Sequence, residues 1–564
     1  MACSENPASQ DVADFIYPYY YFDYEQILSL GERCYDFAGR DYVILHKPLN
    51  EVLPLSINRE GYDAIPNLYA LLDSSSMESA GIRKVFEQPA LGNKGRGTIL
   101  GIIDTGIDYR SPLFRNPDGT TRILGIWDQT IEGEGLTDVS PLDAIHYGTF
   151  YTEEQINEAL QSSDPLALVP STDEIGHGTQ MAAIAAGSDT AIPDFIGAAP
   201  EAKLVIVRLK QAKQYLRDFY LIPSSVPAFQ ENDIMVGVKY LLYIARNYQM
   251  PLTILLGLGT NAGSHEGVLP LASYLTRLSS VSGLIIVVAG GNETGRGHHY
   301  LGKISPGEAY EDVEVRVGPE ENGFTLELWA MESELYSVGF FSPAGEEISR
   351  LPTAISQEQR VTFLLSDTVI HVTYSYSQAV TGSQLILMRF EKPTTGIWRI
   401  RVFNAISLQG NFHMWLPVND FISENTYFLR SNPDTLITDP GNAAPIITTA
   451  AYNHRTGGIY IHSSRGYSRT GAVKPDLAAP GVDITGSSGQ TITGTSIAAA
   501  HMAGACASLL AWASAEEHIS YFNTPVAKAL LIRGAGRRAG LEYPNREWGY
   551  GTLNLYDAFL AVRG

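Results

Sequence analysis

Thr98-Ile99-Leu100-Gly101-Ile102-Ile103-Asp104-Thr105-Gly106-Ile107-Asp108 is the stretch that decides the fold. Its first half is an unbroken apolar run, the pattern of a strand covered on both faces. The run stops at a carboxylate, Asp104. Open parallel sheets collect their functional groups at that carboxyl end. Runs of the same character recur at 204–207, 252–256 and 284–288, and helix-compatible stretches lie at 231–247 and 268–279. Strands alternating with helices predict an α/β domain with a parallel sheet and crossover helices.

The chain reaches well beyond this core. Its 564 residues exceed one ordinary domain. Hydrophobic residues are 45% and charged residues 18%, which excludes a largely disordered chain. Residues 1–75 are rich in aromatics (Pro18-Tyr19-Tyr20-Tyr21-Phe22-Asp23-Tyr24), with strand patterns at 42–45 and 67–72. So short a segment must lean on a neighbour to bury its apolar side chains. The α/β pattern fills 76–304. Residues 305–435 alternate strictly instead, as in Val313-Glu314-Val315-Arg316-Val317. About seven short strands separated by Gly, Pro and Asn turns predict an antiparallel jelly roll or sandwich there. The α/β pattern resumes over 436–564, so the β-rich block is an insertion in a discontinuous domain. It carries no catalytic cluster, and its expected role is to restrain the core.

Lys and Arg number 39 against 61 Asp and Glu, a net charge of −22. Phosphate binding needs clustered cations, so nucleic acid and anionic membrane are excluded as main partners. Cys3, Cys34 and Cys506 are too few and too far apart to predict a disulfide framework or a zinc site. The stretch Met1–Phe15 shows no basic region followed by an apolar one, so no secretory signal is expected. No apolar run approaches the ~20 residues of a membrane span. The reading is cytoplasmic synthesis in reducing surroundings.

Three Gly-flanked motifs carry chemistry: Gly101–Asp108, then Gly176-His177-Gly178-Thr179 ahead of a helix-compatible run, then Gly494-Thr495-Ser496 opening a small-residue helix. Ser496 falls at a helix N-terminus, where free N–H groups favour negative charge. Acyl transfer through a hydroxyl needs a base to take its proton and an acid to orient that base. The chain offers Asp104, His177 and Ser496. Asn292, in Gly290-Gly291-Asn292-Glu293 after a buried strand, can donate to an oxyanion, with the backbone N–H of Ser496 as second donor.

These blocks, with Lys474–Gly481 and Trp548–Phe559, resemble the signature blocks of the subtilisin-like serine proteases, the subtilases of family S8. The resemblance covers roughly residues 90–300 and 440–560. It implies a subtilisin-like parallel-sheet core, with Asp104 as orienter, His177 as base, Ser496 as nucleophile and Asn292 at the oxyanion, while Thr495 and Pro480 shape the loops. Gly257, Leu258 and Gly259 would pair with substrate through their backbone, although Gly257 stands where many relatives have Ser. Gaps of 73 residues from Asp104 to His177 and 204 from Asn292 to Ser496 are long for the family. An N-terminal α+β pro-segment without a signal, plus an inserted jelly roll, is most similar to the clostridial germination-specific Csp proteases. That likeness implies a protein zymogen as substrate, such as a spore cortex-lytic proenzyme, and a spore-associated site. It also implies a pro-segment, chaperone and inhibitor, cut once by Ser496 within Asp73-Ser74-Ser75-Ser76 and able to stay bound.

No cofactor or metal is expected. The 186–196 loop lacks a convincing set of oxygen ligands, so the family's common calcium site is not carried over. Asp108 reads as structural, His501 and Cys506 as core, and His298-His299 as a surface loop. The competing functions are a catalytically silent scaffold in germination signalling and a general degradative intracellular subtilase. Retention of all three triad residues and Asn292 favours an active endopeptidase.

Overall fold

The computed structural model describes residues 6–18, 34–39, 41–71, 78–88, 91, 94–188, 195–352, 358–486, 491–515 and 521–562. Its centre is an eight-stranded sheet in the order 477–480, 447–452, 284–289, 252–256, 99–104, 203–208, 123–128, 149–152. Every neighbouring pair is parallel except the last, where Ile123–Asp128 meets Thr149–Thr152 antiparallel. Ile99–Asp104 is buried throughout, as its apolar run requires.

One face of the sheet is covered by the helices His177–Ala186 and Thr495–Ser514, which share a core with Leu100, Ile102, Leu255 and Ile285. Thr495–Ser514 corrects one expectation. At 20 residues and a mean hydropathy of 1.4 it is long and apolar enough to cross a membrane, yet 94% of that window is buried inside the protein. Its Ala, Gly and Ser positions let the helix lie close against the sheet. Gly504 does the same for the neighbouring helix His177–Ala186: a Cβ there would lie 2.4 Å from the carbonyl oxygen of Ala185.

The other face carries Glu231–Tyr248 and Pro270–Leu278, and on these helices sits the N-terminal segment. Its three strands, Val12–Pro18, Tyr42–Pro48 and Cys34–Ala38, form an antiparallel sheet with the middle strand central. Phe15, Ile16, Ile44 and Tyr69 join the apolar cluster of Ile234, Val238, Leu271 and Tyr274. Tyr17 is half-buried, and 19–24 lie outside the described residues.

The β-rich insertion holds eleven strands among the described residues, more than the seven its turns suggested. Six form one sheet, from His299–Lys303 at one edge to Glu358–Thr362 at the other, and five form a second around Gly396–Ile406. Side chains of both sheets fill one core, including Val313, Leu326, Ile370 and Trp398. The first strand starts at His299, inside the stretch expected to belong to the α/β unit.

Trp329, Leu385, Leu387, Trp415, Val418 and Phe421 of the insertion belong to the same apolar cluster as the N-terminal segment and the core helices. Trp415 is 1% exposed, stacks on His265 at 4.2 Å and donates to the Thr435 carbonyl. Trp415→Ala should therefore cost about 3–5 kcal/mol, because a large cavity opens where three units meet. Chemical denaturation measures it. A loss below about 1 kcal/mol would show that this junction does not hold the core.

Two further expectations change. His298 and His299 are 1% and 0% exposed, not in a surface loop. His298 Nδ1 pairs with Glu293 at 2.7 Å, and His299 Nε2 lies 2.9 Å from His413 Nδ1. Cys34 is disulfide-bonded, which the wide cysteine spacing concealed. Cys506 is free and buried.

Candidate active site

Asp104, His177 and Ser496 arrive from three separate elements. Asp104 ends the strand Ile99–Asp104, His177 opens the helix His177–Ala186, and Ser496 is the second residue of Thr495–Ser514. Strand 99–104 is central, so its carboxyl end delivers Asp104 to the floor of the crevice where both helices begin. His177 Nδ1 lies 2.8 Å from Asp104 Oδ1, and His177 Nε2 lies 3.1 Å from Ser496 Oγ. Asp104 and Ser496 are fully buried, while the imidazole is partly open. The three groups form one continuous hydrogen-bond chain.

Asn292 stands across from Ser496. Its Oδ1 accepts from the Thr495 backbone N–H at 3.1 Å and from the Thr495 hydroxyl at 3.2 Å. The Thr495 hydroxyl in turn accepts from the Gly291 N–H at 3.1 Å. With the carbonyl end of the amide fixed, its NH2 end remains as a donor.

Gly257 lies against the same pair. A Cβ there would lie 2.7 Å from Met181 Cε, 3.1 Å from Ser496 Cβ and 3.2 Å from His177 Cε1. Gly257→Val should lower kcat at least tenfold, because its branched side chain pushes His177 and Ser496 apart by tenths of an ångström. Full kcat in that variant would show that the pair tolerates displacement.

Leu258–Gly259 continues into a three-stranded antiparallel sheet whose central member comes from the N-terminal segment. Leu68–Leu71 pairs with it on one side (Leu258↔Leu71, Gly259↔Ala70) and with Phe229–Gln230 on the other (Leu68↔Gln230, Tyr69↔Phe229). A chain from outside the core thus lies extended between two core strands, running towards Gly257 and Ser496. Asp73, Ser74, Ser75 and Ser76 fall outside the described residues, as does most of the 186–196 loop.

Asp173 was missed by sequence reading. Its Oδ1 accepts from the Thr105 hydroxyl and the Gly176 N–H, each at 2.8 Å; its Oδ2 accepts from Thr179 N–H at 2.8 Å and the Thr179 hydroxyl at 2.7 Å. Thr105 is the neighbour of Asp104, and its hydroxyl also accepts from Gly178 N–H. One carboxylate therefore clamps the loop after Asp104 to the helix start at His177. A carboxylate four residues ahead of His177, beside a helix start, was the available signal.

The other candidates lie elsewhere. Asp108 pairs with Arg110 on the surface. His501 is buried a turn below Ser496, bonded to the Ile497 carbonyl, and burial pushes its pKa down to about 3. Thr495 forms the bridge to Asn292 already described, and Pro480 ends the edge strand Leu477–Pro480. Among the described residues no group of three or more His, Cys, Asp or Glu is placed to hold a metal ion.

The solved structure of the Clostridium perfringens CspB protease is 29% identical, with 85% of this chain and 96% of that chain covered and a TM-score of 0.74. Fervidolysin from Fervidobacterium pennivorans is 13% identical over 97% of this chain and 61% of its own, with a TM-score of 0.45. MycP1 from Mycobacterium smegmatis is 14% identical over 87% and 88%, with a TM-score of 0.37. No curated protein matches. The subtilase family model matches residues 95–236 and 409–551, just over half of the 564 residues. With its parallel core sheet, N-terminal α+β region and added antiparallel sheets, the chain belongs to the subtilase family.

Proposed function

We propose that the protein is a serine endopeptidase that processes a protein zymogen and is held in check by its own N-terminal segment. The observation that carries this is the unbroken Asp104–His177–Ser496 chain at 2.8 and 3.1 Å. His177 takes the Ser496 proton as Oγ attacks the scissile carbonyl. Asp104 holds the imidazole in the tautomer whose Nε2 accepts from Ser496 and stabilises the imidazolium. The Asn292 NH2 and the Ser496 N–H receive the oxyanion. His177 then returns the proton to the leaving amine, and water releases the acyl group by the same route.

A narrow processing role, with a spore cortex-lytic proenzyme as the model substrate, rests on likeness in architecture to the CspB protease. Labelling with a fluorophosphonate tests the catalytic part. Covalent capture at Ser496 is expected; a folded, processed sample that stays unlabelled would favour a silent scaffold. Cleavage profiling on a denatured proteome tests the narrow role, and indiscriminate cutting would favour a degradative enzyme.

The segment is seated by buried charge. His46 is flanked by Asp14 at 2.7 Å and Asp36 at 3.1 Å. From the core, Lys213 reaches Asp14 at 2.8 Å, Gln230 reaches Asp14 at 3.0 Å and His146 reaches Asp36 at 2.7 Å. Burial alone would depress His46, but its bonds to Asp14 and Asp36 outweigh this and its pKa is raised. Burial opposes ionisation of Asp14, yet Lys213 and His46 hold its pKa low; His146 and His46 do the same for Asp36.

The raised His46 contributes stability that is complete below about pH 6.5 and lost as pH rises through the folded value. The lowered carboxylates contribute above about pH 4, and that part is lost only in stronger acid. Retention of the segment should therefore weaken on the alkaline side. Comparing wild type with His46→Gln isolates this term from Lys213, whose pKa burial depresses. Exchange protection of the Val12–Pro18 strand, followed from pH 5 to 9, is the measurement. An identical alkaline limb in both proteins would remove His46 from the docking account.

A further inference from the structure

We infer that Glu231 is a specificity-determining residue, selecting chains that carry a side-chain N–H donor and a phenol two residues apart on the acyl side of the scissile bond. This rests on the protease reading above and names the substrate class of the same cleft. Glu231 is the first residue of the helix Glu231–Tyr248 and directly follows the cleft strand Phe229–Gln230. Its side chain is 0% exposed. Among the described residues one core group donates to the carboxylate, the Leu271 N–H, to Oε1 at 2.9 Å. The other partners come from the chain lying in the cleft. Asn67 donates to Oε2 through its backbone N–H at 3.2 Å and its side-chain amide at 3.1 Å, and the Tyr69 hydroxyl donates to Oε1 at 3.4 Å.

The pairing has a geometric cause. In an extended chain residues i and i+2 point to one face, so Asn67 and Tyr69 drop together onto one carboxylate. The Glu231 N–H also donates to the Asn67 carbonyl at 3.0 Å, which locks the register of the incoming chain against the helix start. Tyr69 is 0% exposed, so the cleft encloses the whole ring down to Glu231. Any chain that replaces 67–71 between the two core strands presents the equivalent residues to the same group.

The selectivity comes from what the wrong chain leaves behind. A Leu and a Phe fill similar space, but they seal an unpaired carboxylate under apolar atoms. Burial already raises the Glu231 pKa, against bonds from Leu271, Asn67 and Tyr69 that lower it. A site built to accept donors rejects isosteres that lack them far more strongly than an apolar pocket rejects a missing methylene. About tenfold for each lost donor and about 100-fold for both are expected in kcat/KM.

Two measurements decide it. In the intact Ser496→Ala chain, Tyr69→Phe with Asn67→Leu should speed hydrogen exchange at Leu258, Gly259 and Phe229 about tenfold or more, and Glu231→Gln should add little on that background. Unchanged exchange in Tyr69→Phe and Asn67→Leu overturns the inference, and it does so even if the Glu231 variant folds badly. In processed wild type, a quenched peptide copying residues 65–77 should be cut about 100-fold faster than its Leu/Phe counterpart. Glu231→Gln should bring the two within about threefold. Equal cleavage of both peptides by wild type overturns the substrate claim and leaves the protease reading intact. Cleavage of neither peptide strikes the protease reading alone, and the exchange result still decides the role of Glu231.

Discussion

Ser496→Ala should abolish peptide-bond hydrolysis, lowering kcat by about six orders of magnitude. Its hydroxyl is the nucleophile in the proposed mechanism and ends the hydrogen-bond chain that runs from Asp104 through His177 Nε2. The same substitution should change the gel pattern. Wild type cut once between about Leu72 and Met77 gives fragments of about 8 and about 53 kDa, in proportion to residue number, while Ser496→Ala gives one full-length band. The strand Leu68–Leu71 is the reason the cut is expected there. Antiparallel pairing with Leu258–Gly259 aims its carboxyl end at Gly257, the residue against Ser496 and His177. Two bands from the Ser496→Ala protein, purified away from other proteases, would show that the cut is not self-catalysed. Fluorophosphonate labelling of wild type then separates a failed self-cleavage from a failed catalyst.

Asn292→Ala should lower kcat by about 10²–10³ with KM nearly unchanged. The asymmetry follows from geometry. The Asn292 carbonyl is committed to Thr495 N–H and hydroxyl, so the amide is already oriented before substrate arrives. Its NH2 gains most when the substrate carbonyl becomes an oxyanion, which is a transition-state effect. Thr495→Val should reproduce part of the loss by releasing the orientation while keeping the donor. Equal kcat in wild type and Asn292→Ala would remove Asn292 from the mechanism. A rise in KM alone would assign it to ground-state binding.

Much of this site was legible in the chain. The run Ile99–Ile103 ending on Asp104 predicted a buried parallel strand with a carboxylate at its functional end, and the strand is buried throughout. Apolar runs without alternation mark strands covered on both faces, and strict alternation marked the insertion; both are local periodicities. The Gly-flanked blocks singled out Asp104, His177 and Ser496, each at the end of an element where the backbone is constrained.

Contacts between distant segments were not legible. Nothing in Leu68–Leu71 says that it pairs with residues 229–230 and 258–259, because strand pairing is set by register between segments rather than by composition. The surface reading of His298-His299 failed for the same reason. Their burial depends on Glu293, His413 and Trp415, which the insertion and the loop after Ala289 bring to one place. Thr495–Ser514 shows the converse. Its composition satisfies a membrane span, and only the sheet packed against it makes it a core helix. Asp173 and Glu231 are acidic residues near helix starts in the sequence, and the fold places one between the Asp104 loop and His177 and the other beneath the occupied cleft. The sequence alone determined the core sheet and the insertion, and it singled out Asp104, His177 and Ser496, which the structure brings together. The tertiary structure decided what lies in the cleft and which buried carboxylates face it, because those depend on desolvation and on partners far apart in the chain, Asn67 and Glu231 being 164 residues apart.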